Sequence, residues 1–406
     1  MRFLFYSHDG LGLGHTRRHL AVAAALAEQA PHATILLATG AEEIVRHGLP
    51  RQVEILKLPG LRKDANENYS SRRLRVSLLE IRALRSAFLL TAVKSFQPDV
   101  VLVDKHPFGA GGEFKAGLKA LRRAGGRAAL GLRDILDAPE QVLREWQPYK
   151  MQQLIAKHFD EVLVYGERVV FDPVAAYEFP AAMAERTHFC GYVLSREYTQ
   201  SLENFERPFP PRELRTRPVV LATTGGGEDG FRTLETFTRA AAGASWQGVV
   251  VAGPMMPDVE LATLEKLANK NGVAFRNFVP HLSALFAEVD ALVCMGGYNT
   301  LVEAAALGMP TVCVPRVLPR IEQLLRAEAF ERLGLLRVCH PDCLSPQSLR
   351  EKIDATLKTP PRDVRSRTRA KLDFDGARKA AERLLALAEI RPAKRQRDEL
   401  PIPVAD

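Results

Sequence analysis

Cysteine is scarce in this chain: five occur in 406 residues, at positions 190, 294, 313, 339 and 343. An odd, scattered set argues against a disulfide framework. Cys294 and Cys313 lie inside apolar runs, where thiols serve as small core groups. Cys339 and Cys343 flank His340 and Asp342, but no second cluster exists to complete a tetrahedral zinc site, so no metal is expected. Long hydrophobic runs are missing too. None approaches the roughly 20 apolar residues of a membrane-spanning helix, and the run before Ser7, His8 and Asp9 is too short for a secretory leader. These absences point to a cytoplasmic protein. An acidic excess is also lacking: 56 Lys+Arg against 48 Asp+Glu gives a net charge of +8. Basic residues gather at Arg62, Arg72, Arg73, Arg75, Arg82 and Arg85, and again at Arg391, Lys394, Arg395 and Arg397. Such patches attract anionic lipid, a phosphorylated substrate or nucleic acid, or they simply solvate a helix face. No nucleic-acid module and no interleaving of aromatic with basic residues accompanies them, so nucleic acid is not an expected partner.

Two familiar nucleotide signatures are incomplete. GLGLGH at 10–15 lacks the third glycine of a dinucleotide fingerprint, and the strand at 34–39 ends without an acid to hold an adenosine ribose. TTGGGEDGF at 223–231 lacks the Gly-Lys-Ser/Thr ending of a P-loop. Both a dehydrogenase and a P-loop enzyme are disfavoured.

What is present is alternation. Length and an ordinary globular composition, 46% hydrophobic and 26% charged, suit two domains. Short apolar strands are expected at 2–7, 34–39, 53–58, 100–103, 127–132, 161–165 and 188–192. A second set is expected at 219–222, 249–252, 273–276, 291–295 and 311–314. Helical patterns separate them, including a long helix over 71–96 (Leu74, Leu78, Ile81, Leu84, Phe88, Leu89) and another over 139–157. This predicts an α/β protein of two facing Rossmann-like domains with a cleft between them. The expected boundaries are 1–200 and 213–370, with a terminal helix and basic tail at 371–406. Pro208, Pro210 and Pro211 stiffen the linker at 195–216.

The most informative stretch is 290–330. Gly296 and Gly297 turn a strand into a helix starting near Tyr298 or Asn299, with Asn299 and Thr300 as its candidate caps. Glu303 falls one turn in, Gly308 closes the helix, and Glu322 and Gln323 open the next. A helix N-terminus offers N–H groups and partial positive charge to phosphate. A carboxylate on the same turn accepts from two ribose hydroxyls, so a nucleoside diphosphate suits the stretch. Thr224, Gly225, Gly226 and Gly227 make a second phosphate-cradling loop, leading into a helix whose first turn holds Glu228 or Asp229. In the first half His15 follows Gly10, Gly12 and Gly14, with Arg17 just beyond. It is either a base facing the cleft or a cap for the turn, and His8 is its rival. Asp104, ending a strand, either orients His15 or caps the next turn. Gly109, Gly111 and Gly112 form another anion-ready turn. Arg133 and Asp134 end the following strand, contacting an acceptor or pairing with each other. Asp375, in DFD, is expected to cap the terminal helix rather than to bind metal.

The order Gly-Gly-x-x-Thr-x-x-Glu, then Gly-x-Pro, then Pro-Arg and Glu-Gln resembles the donor motif of GT-B glycosyltransferases, closest to the MurG-like branch of family 28. The resemblance extends over nearly the whole chain. It implies a nucleotide-sugar donor, of UDP type, in the second domain. Glu303 would hold ribose, with Arg316, Glu322 and Gln323 toward the pyrophosphate or sugar and the backbone near Val279 on the base. It implies an acceptor in the first domain near Gly12, Gly14, Arg17, Gly111, Gly112, Arg133 and Asp134. His15 would deprotonate the acceptor hydroxyl with Asp104 behind it. Transfer of a hexose-type sugar would be inverting, with no metal and no cofactor beyond the co-substrate. An anionic or lipid-linked acceptor would place the protein peripherally at the inner membrane face, while a soluble acceptor fits as well. The alternatives are a sugar-nucleotide epimerase or hydrolase of the same fold and a non-catalytic nucleotide-sugar-binding protein.

Overall fold

The computed structural model describes residues 1–7, 14–41, 49–63, 69–194, 208–280 and 282–390. His8, Gly10, Gly12, His281 and the basic residues from 391 onward lie outside them. The first sheet is built from β1 (Arg2–Ser7), β2 (Thr34–Thr39), β3 (Val53–Lys57), β6 (Val100–Asp104), β7 (Arg127–Arg133), β8 (Glu161–Tyr165) and β9 (Thr187–Phe189). Between β3 and β6 a small antiparallel hairpin joins β4 (Leu61–Lys63) and β5 (Tyr69–Ser71). The sheet order is β3-β2-β1-β6-β7-β8-β9, and its pairings are parallel. All five residues of β6 and of β8 are buried, as strands with apolar runs covered on both faces require, with Asp104 and Glu161 as the charged ends.

The second sheet takes β10 (Val219–Thr223), β11 (Gln247–Val251), β12 (Ala274–Arg276), β13 (Ala291–Cys294), β14 (Thr311–Cys313) and β15 (Arg337–Val338). Its order is β12-β11-β10-β13-β14-β15, again parallel. Each sheet therefore reverses its winding once, between β1 and β6 and between β10 and β13. Loops leave the strand ends on opposite sides at such a point, which opens a crevice for ligand. His15 and Asp104 belong to the first crevice; Gly225 and Gly296 belong to the second. The helix Gly376–Glu389 packs back on the helix Gly14–Gln29 and on β6 and β7.

Two helices differ from the sequence expectation. The helix expected over 71–96 spans Leu78–Phe96, because Ser77 and Glu80 form a reciprocal capping box that fixes its start. Ile81 and Leu89 face the core, while Leu74, Leu84 and Phe88 stay 48, 39 and 41% exposed. Arg85, counted among the basic patch, is instead fully buried, making two bonds to Glu113 at 2.7 and 2.8 Å. The helix expected over 139–157 is two, Pro139–Trp146 and Met151–His158. Pro148, which has no N–H to donate, and a left-handed Lys150 separate them.

Candidate active site

β6 ends at Asp104, and the helix Gly14–Gln29 begins beside it with His15 in its first turn. His15 Nδ1 meets Asp104 Oδ2. Arg18, one turn further along, donates to the same carboxylate oxygen at 3.0 Å and lies 2.7 Å from His15 Nδ1. One ring nitrogen cannot give a proton to Asp104 and also take one from Arg18. The carboxylate is the stronger acceptor, so Nδ1–H donates to Asp104 and the lone pair sits on Nε2. Burial lowers the His15 pKa to about 4, outweighing the upward pull of Asp104. The imidazole is thus neutral at pH 7 and able to accept a proton. Burial would raise the Asp104 pKa, but Arg18 and His15 together hold it well below the usual carboxylate range.

His19 on the same helix is fully buried, and burial also lowers its pKa to about 4. Both histidines titrate near 6.5 in an unfolded chain. Between about 6.5 and 4 the unfolded chain takes up protons that the folded one does not, so stability falls as pH drops. Each histidine contributes about 3 kcal/mol at full extent. The urea midpoint is expected to hold near pH 7 and to decline below 6.5; a midpoint unchanged down to pH 4.5 would contradict the burial of both rings.

On the opposite side of the cleft, Gly297 precedes the helix Tyr298–Leu307, and among the described residues no side chain caps it. Asn299 and Thr300 are inside the helix rather than its caps. The first N–H groups therefore face the crevice, and a side chain at Gly297 would meet nothing described within 4 Å. Gly296 has φ +87°, and a Cβ there would meet Cys313 Sγ at 3.0 Å. Glycine is required for that turn. Gly225 and Gly227 also have positive φ, and Thr224 Oγ1 donates to Ala252 O at 3.2 Å. The helix after this loop begins only at Phe231, so Glu228 and Asp229 stand in the turn before it, not in its first turn. Arg316 ties the two loops together: it bonds Asp229 and Glu322, each at 3.1 Å, and its N–H donates to Gln323 at 3.3 Å. Val279 is buried next to an exposed Phe278.

The two domains meet through charge. Arg17 pairs with Glu303 at 3.0 Å, and Arg133 with Glu322 at 3.5 Å. Asn299 Nδ2 stands 3.5 Å from the position of a Cβ on Gly14, so the N-termini of the His15 and Glu303 helices face each other. Asp134 does not pair with Arg133 and is not open to an acceptor. It is fully buried and receives two bonds from Arg326, at 2.8 and 2.7 Å, together with the Tyr192 hydroxyl at 3.2 Å. Arg326 also donates to Gly296 O at 3.0 Å, linking this anchor to the glycine turn before the helix Tyr298–Leu307. Asp137 adds a second anchor, pairing with Arg320 at 3.0 Å and accepting from Ile321 N at 2.9 Å.

Gly111 and Gly112 have positive φ as expected of an anion-ready turn, but the Arg82 guanidinium lies over Gly111 and the Lys115 chain over Gly112. Asp375 occupies the N-cap position of the terminal helix while its carboxylate pairs with Arg378. No cluster of three or more metal-ligating side chains occurs among the described residues. The sequence reading assigned no role to Arg18, Arg320 or Arg326, and it placed Asp229 inside the helix, which starts only at Phe231. Only Arg18 carried a local signal, its spacing of one helical turn from His15.

Residues 249–384 match the glycosyltransferase family 28 C-terminal domain. Over 140 residues the chain is 32% identical to the UDP-N-acetylglucosamine--N-acetylmuramyl-(pentapeptide) pyrophosphoryl-undecaprenol N-acetylglucosamine transferase of Saccharopolyspora erythraea, covering 34% of this chain and 36% of that protein. The protein of the same name from Cronobacter sakazakii is 24% identical over 300 residues, 66% of this chain and 82% of its own. The chain spans less than half the length of the first curated relatives it matches, 36 and 46% in two of them. Among solved structures, the calicheamicin glycosyltransferase CalG4 superposes with a TM-score of 0.63 at 21% identity, over 96% of this chain and 99% of its own. Acinetobacter baumannii MurG does so with a TM-score of 0.61 at 14% identity, over 95% of this chain and 100% of its own. The architecture they share with this chain is GT-B, two facing α/β domains.

Proposed function

We propose that this chain, a MurG-like protein of GT-B fold whose second half carries the family 28 C-terminal domain, moves a hexose-type sugar from a nucleoside diphosphate to an acceptor hydroxyl. The observation that carries the reading is the neutral His15, backed by Asp104, across the crevice from an uncapped helix N-terminus and the Glu303 carboxylate. His15 Nε2 takes the proton of the acceptor hydroxyl. The oxygen attacks the anomeric carbon, and the bond to the diphosphate breaks with its electron pair leaving on the nucleotide. Attack opposite the leaving group inverts the centre. Gly225, Gly226, Gly227, Gly296 and Gly297 receive the phosphates, Glu303 the ribose, Glu322 and Gln323 the sugar, and backbone near Val279 a uracil-type base. Arg316 and the helix N-terminus stabilise the departing charge, so the reaction needs no metal. When donor enters, Arg17 gives up Glu303 to the ribose and turns toward the diphosphate.

The acceptor is proposed to be anionic and lipid-linked, and the protein to sit peripherally on a membrane face. Leu74, Val76 and Leu79 are exposed beside Arg72, Arg73, Arg75 and Arg82, an apolar and cationic mixture that suits an anionic lipid surface. No helix among the described residues is long and apolar enough to cross a membrane. Of the relatives, the enzymes named above act on an undecaprenol-linked acceptor.

The test is a thermal-shift panel of nucleoside diphosphates and nucleotide sugars on the wild type and on Glu303→Ala. A ligand at 100 times its Kd adds about 2.7 kcal/mol of stability. A rise in Tm with UDP-type ligands is expected in the wild type and its loss in Glu303→Ala. No rise with any nucleotide would overturn the donor site. Release of free sugar or of an epimer from donor alone would instead establish a hydrolase or epimerase.

A further inference from the structure

Beneath the His15–Asp104 pair lies a set of polar atoms that the proposed reaction does not use. Ser7 Oγ, Asp104 Oδ1, the Tyr165 hydroxyl and both ring nitrogens of His19 are buried without a hydrogen-bond partner among the described residues. All four residues are 0% exposed. Sheet register brings them together. Ser7 pairs with Asp104, and Asp104 with Gly131, so the three point to one face. At Gly131 no side chain fills that face, and the Tyr165 hydroxyl lies 2.5 Å from where a Cβ would be. His19 is one turn beyond His15 on the helix covering the same face. Its ring packs on Phe5, two residues before Ser7, at 5.3 Å between centroids.

Asp104 is thus held by one oxygen only: Oδ2 takes both His15 and Arg18, and Oδ1 has neither. A bare buried carboxylate oxygen costs about 1–3 kcal/mol or more. The groups around it are the two hydroxyl donors and an imidazole that can donate or accept. One buried water bonding to several such groups would satisfy most of them, the usual arrangement for internal water. Resting on the reading of His15 as the base, we propose that Ser7, Tyr165 and His19 are positioning residues that bond Asp104 Oδ1 through an internal water and so fix the carboxylate that orients His15.

Tyr165→Phe tests this by removing one oxygen and keeping the ring, with Ser7→Ala as the second variant. Each is expected to lower kcat about tenfold, the loss of one bond to a charged group, with an unchanged thermal shift by donor. A carboxylate that loses a donor pulls harder on the imidazole proton. The His15 pKa, followed by NMR of the free protein, is therefore expected to rise by about half a unit or more. Arg18 and Lys105, the other charges that bear on His15, are untouched by either variant. In an Asp104→Asn background neither variant should have a further effect on kcat or on that pKa. A His15 pKa that moves in neither variant, or an equal effect with and without the Asp104 carboxylate, would overturn the proposal. The NMR arm needs no substrate, so absence of transfer with every donor would count against the proposed reaction and leave this inference separately decided.

Discussion

His15→Ala is expected to lower kcat for sugar transfer by roughly 10²- to 10⁴-fold, the range for removing a positioned general base, while donor-induced thermal shift stays as in the wild type. The ring lies in the first crevice, about one-fifth exposed, with its Nδ1 committed to Asp104. Asp104 and Arg18, which hold the ring, both belong to the first domain, so nucleotide affinity is not expected to follow the base. The pH profile carries the sharper prediction. A base must be neutral to act, and the His15 pKa of about 4 puts the acid limb of kcat/KM near pH 4 rather than 6.5. Activity should be nearly level from pH 7.5 down to 5 and then fall. Asp104→Asn removes both the acceptor for Nδ1–H and the charge that stabilises the imidazolium, so it should approach the alanine variant in kcat. Near-normal transfer by His15→Ala with donor affinity intact would remove His15 from the mechanism.

The second large effect is on stability. Asp134→Ala is expected to cost about 3–5 kcal/mol, because it leaves the Arg326 guanidinium buried and unpaired. Asp134 and Arg326 stand 192 residues apart, both fully buried, and their two bonds join one domain to the other. Arg326 keeps its contact with Gly296 O and the Tyr298 ring at 5.7 Å, neither of which supplies a counter-charge, and Glu322, which also acts on it, is already paired with Arg133 and Arg316. Urea unfolding followed by fluorescence measures the loss. The paired substitution Asp134→Leu with Arg326→Met removes both charges and should recover most of it, since a buried ion pair offsets little more than its own desolvation. A single variant as stable as the wild type would show that water reaches the pair. The same variant should weaken nucleotide binding, because Arg326 holds the carbonyl of Gly296 in the turn proposed to receive the phosphates.

Much of the fold was legible in the residues. Val100 to Val103 and Ala291 to Cys294 are apolar runs too short for helices and bounded by turn residues, and they are buried parallel strands. The glycine turn at 296 and the closing Gly308 were visible because left-handed backbone is easy only for glycine. The residues alone leave Asp104 either orienting His15 or capping the next turn, and the family resemblance favours the first; the structure joins the two because neighbouring strands at the winding reversal put their carboxyl ends at one crevice. Helical period failed where it met local chemistry. Leu74, Leu84 and Phe88 share a nominal stripe with Ile81, yet the capping box at Ser77 excludes the first from the helix, and the face that packs inward is the one carrying Arg85.

By itself the sequence determined the two α/β halves, the strand positions and the glycine turns into helices, all properties set within about ten residues by periodicity and backbone freedom. Only the tertiary structure decided which charges are spent where. Arg85 left the surface patch for Glu113, Asp134 became an anchor instead of an acceptor contact, and Glu303 and Glu322 met arginines from the other domain. An arginine reads the same in sequence whether it faces water or a buried carboxylate. Its partner is chosen by packing, and the low dielectric of the interior then makes that pairing obligatory.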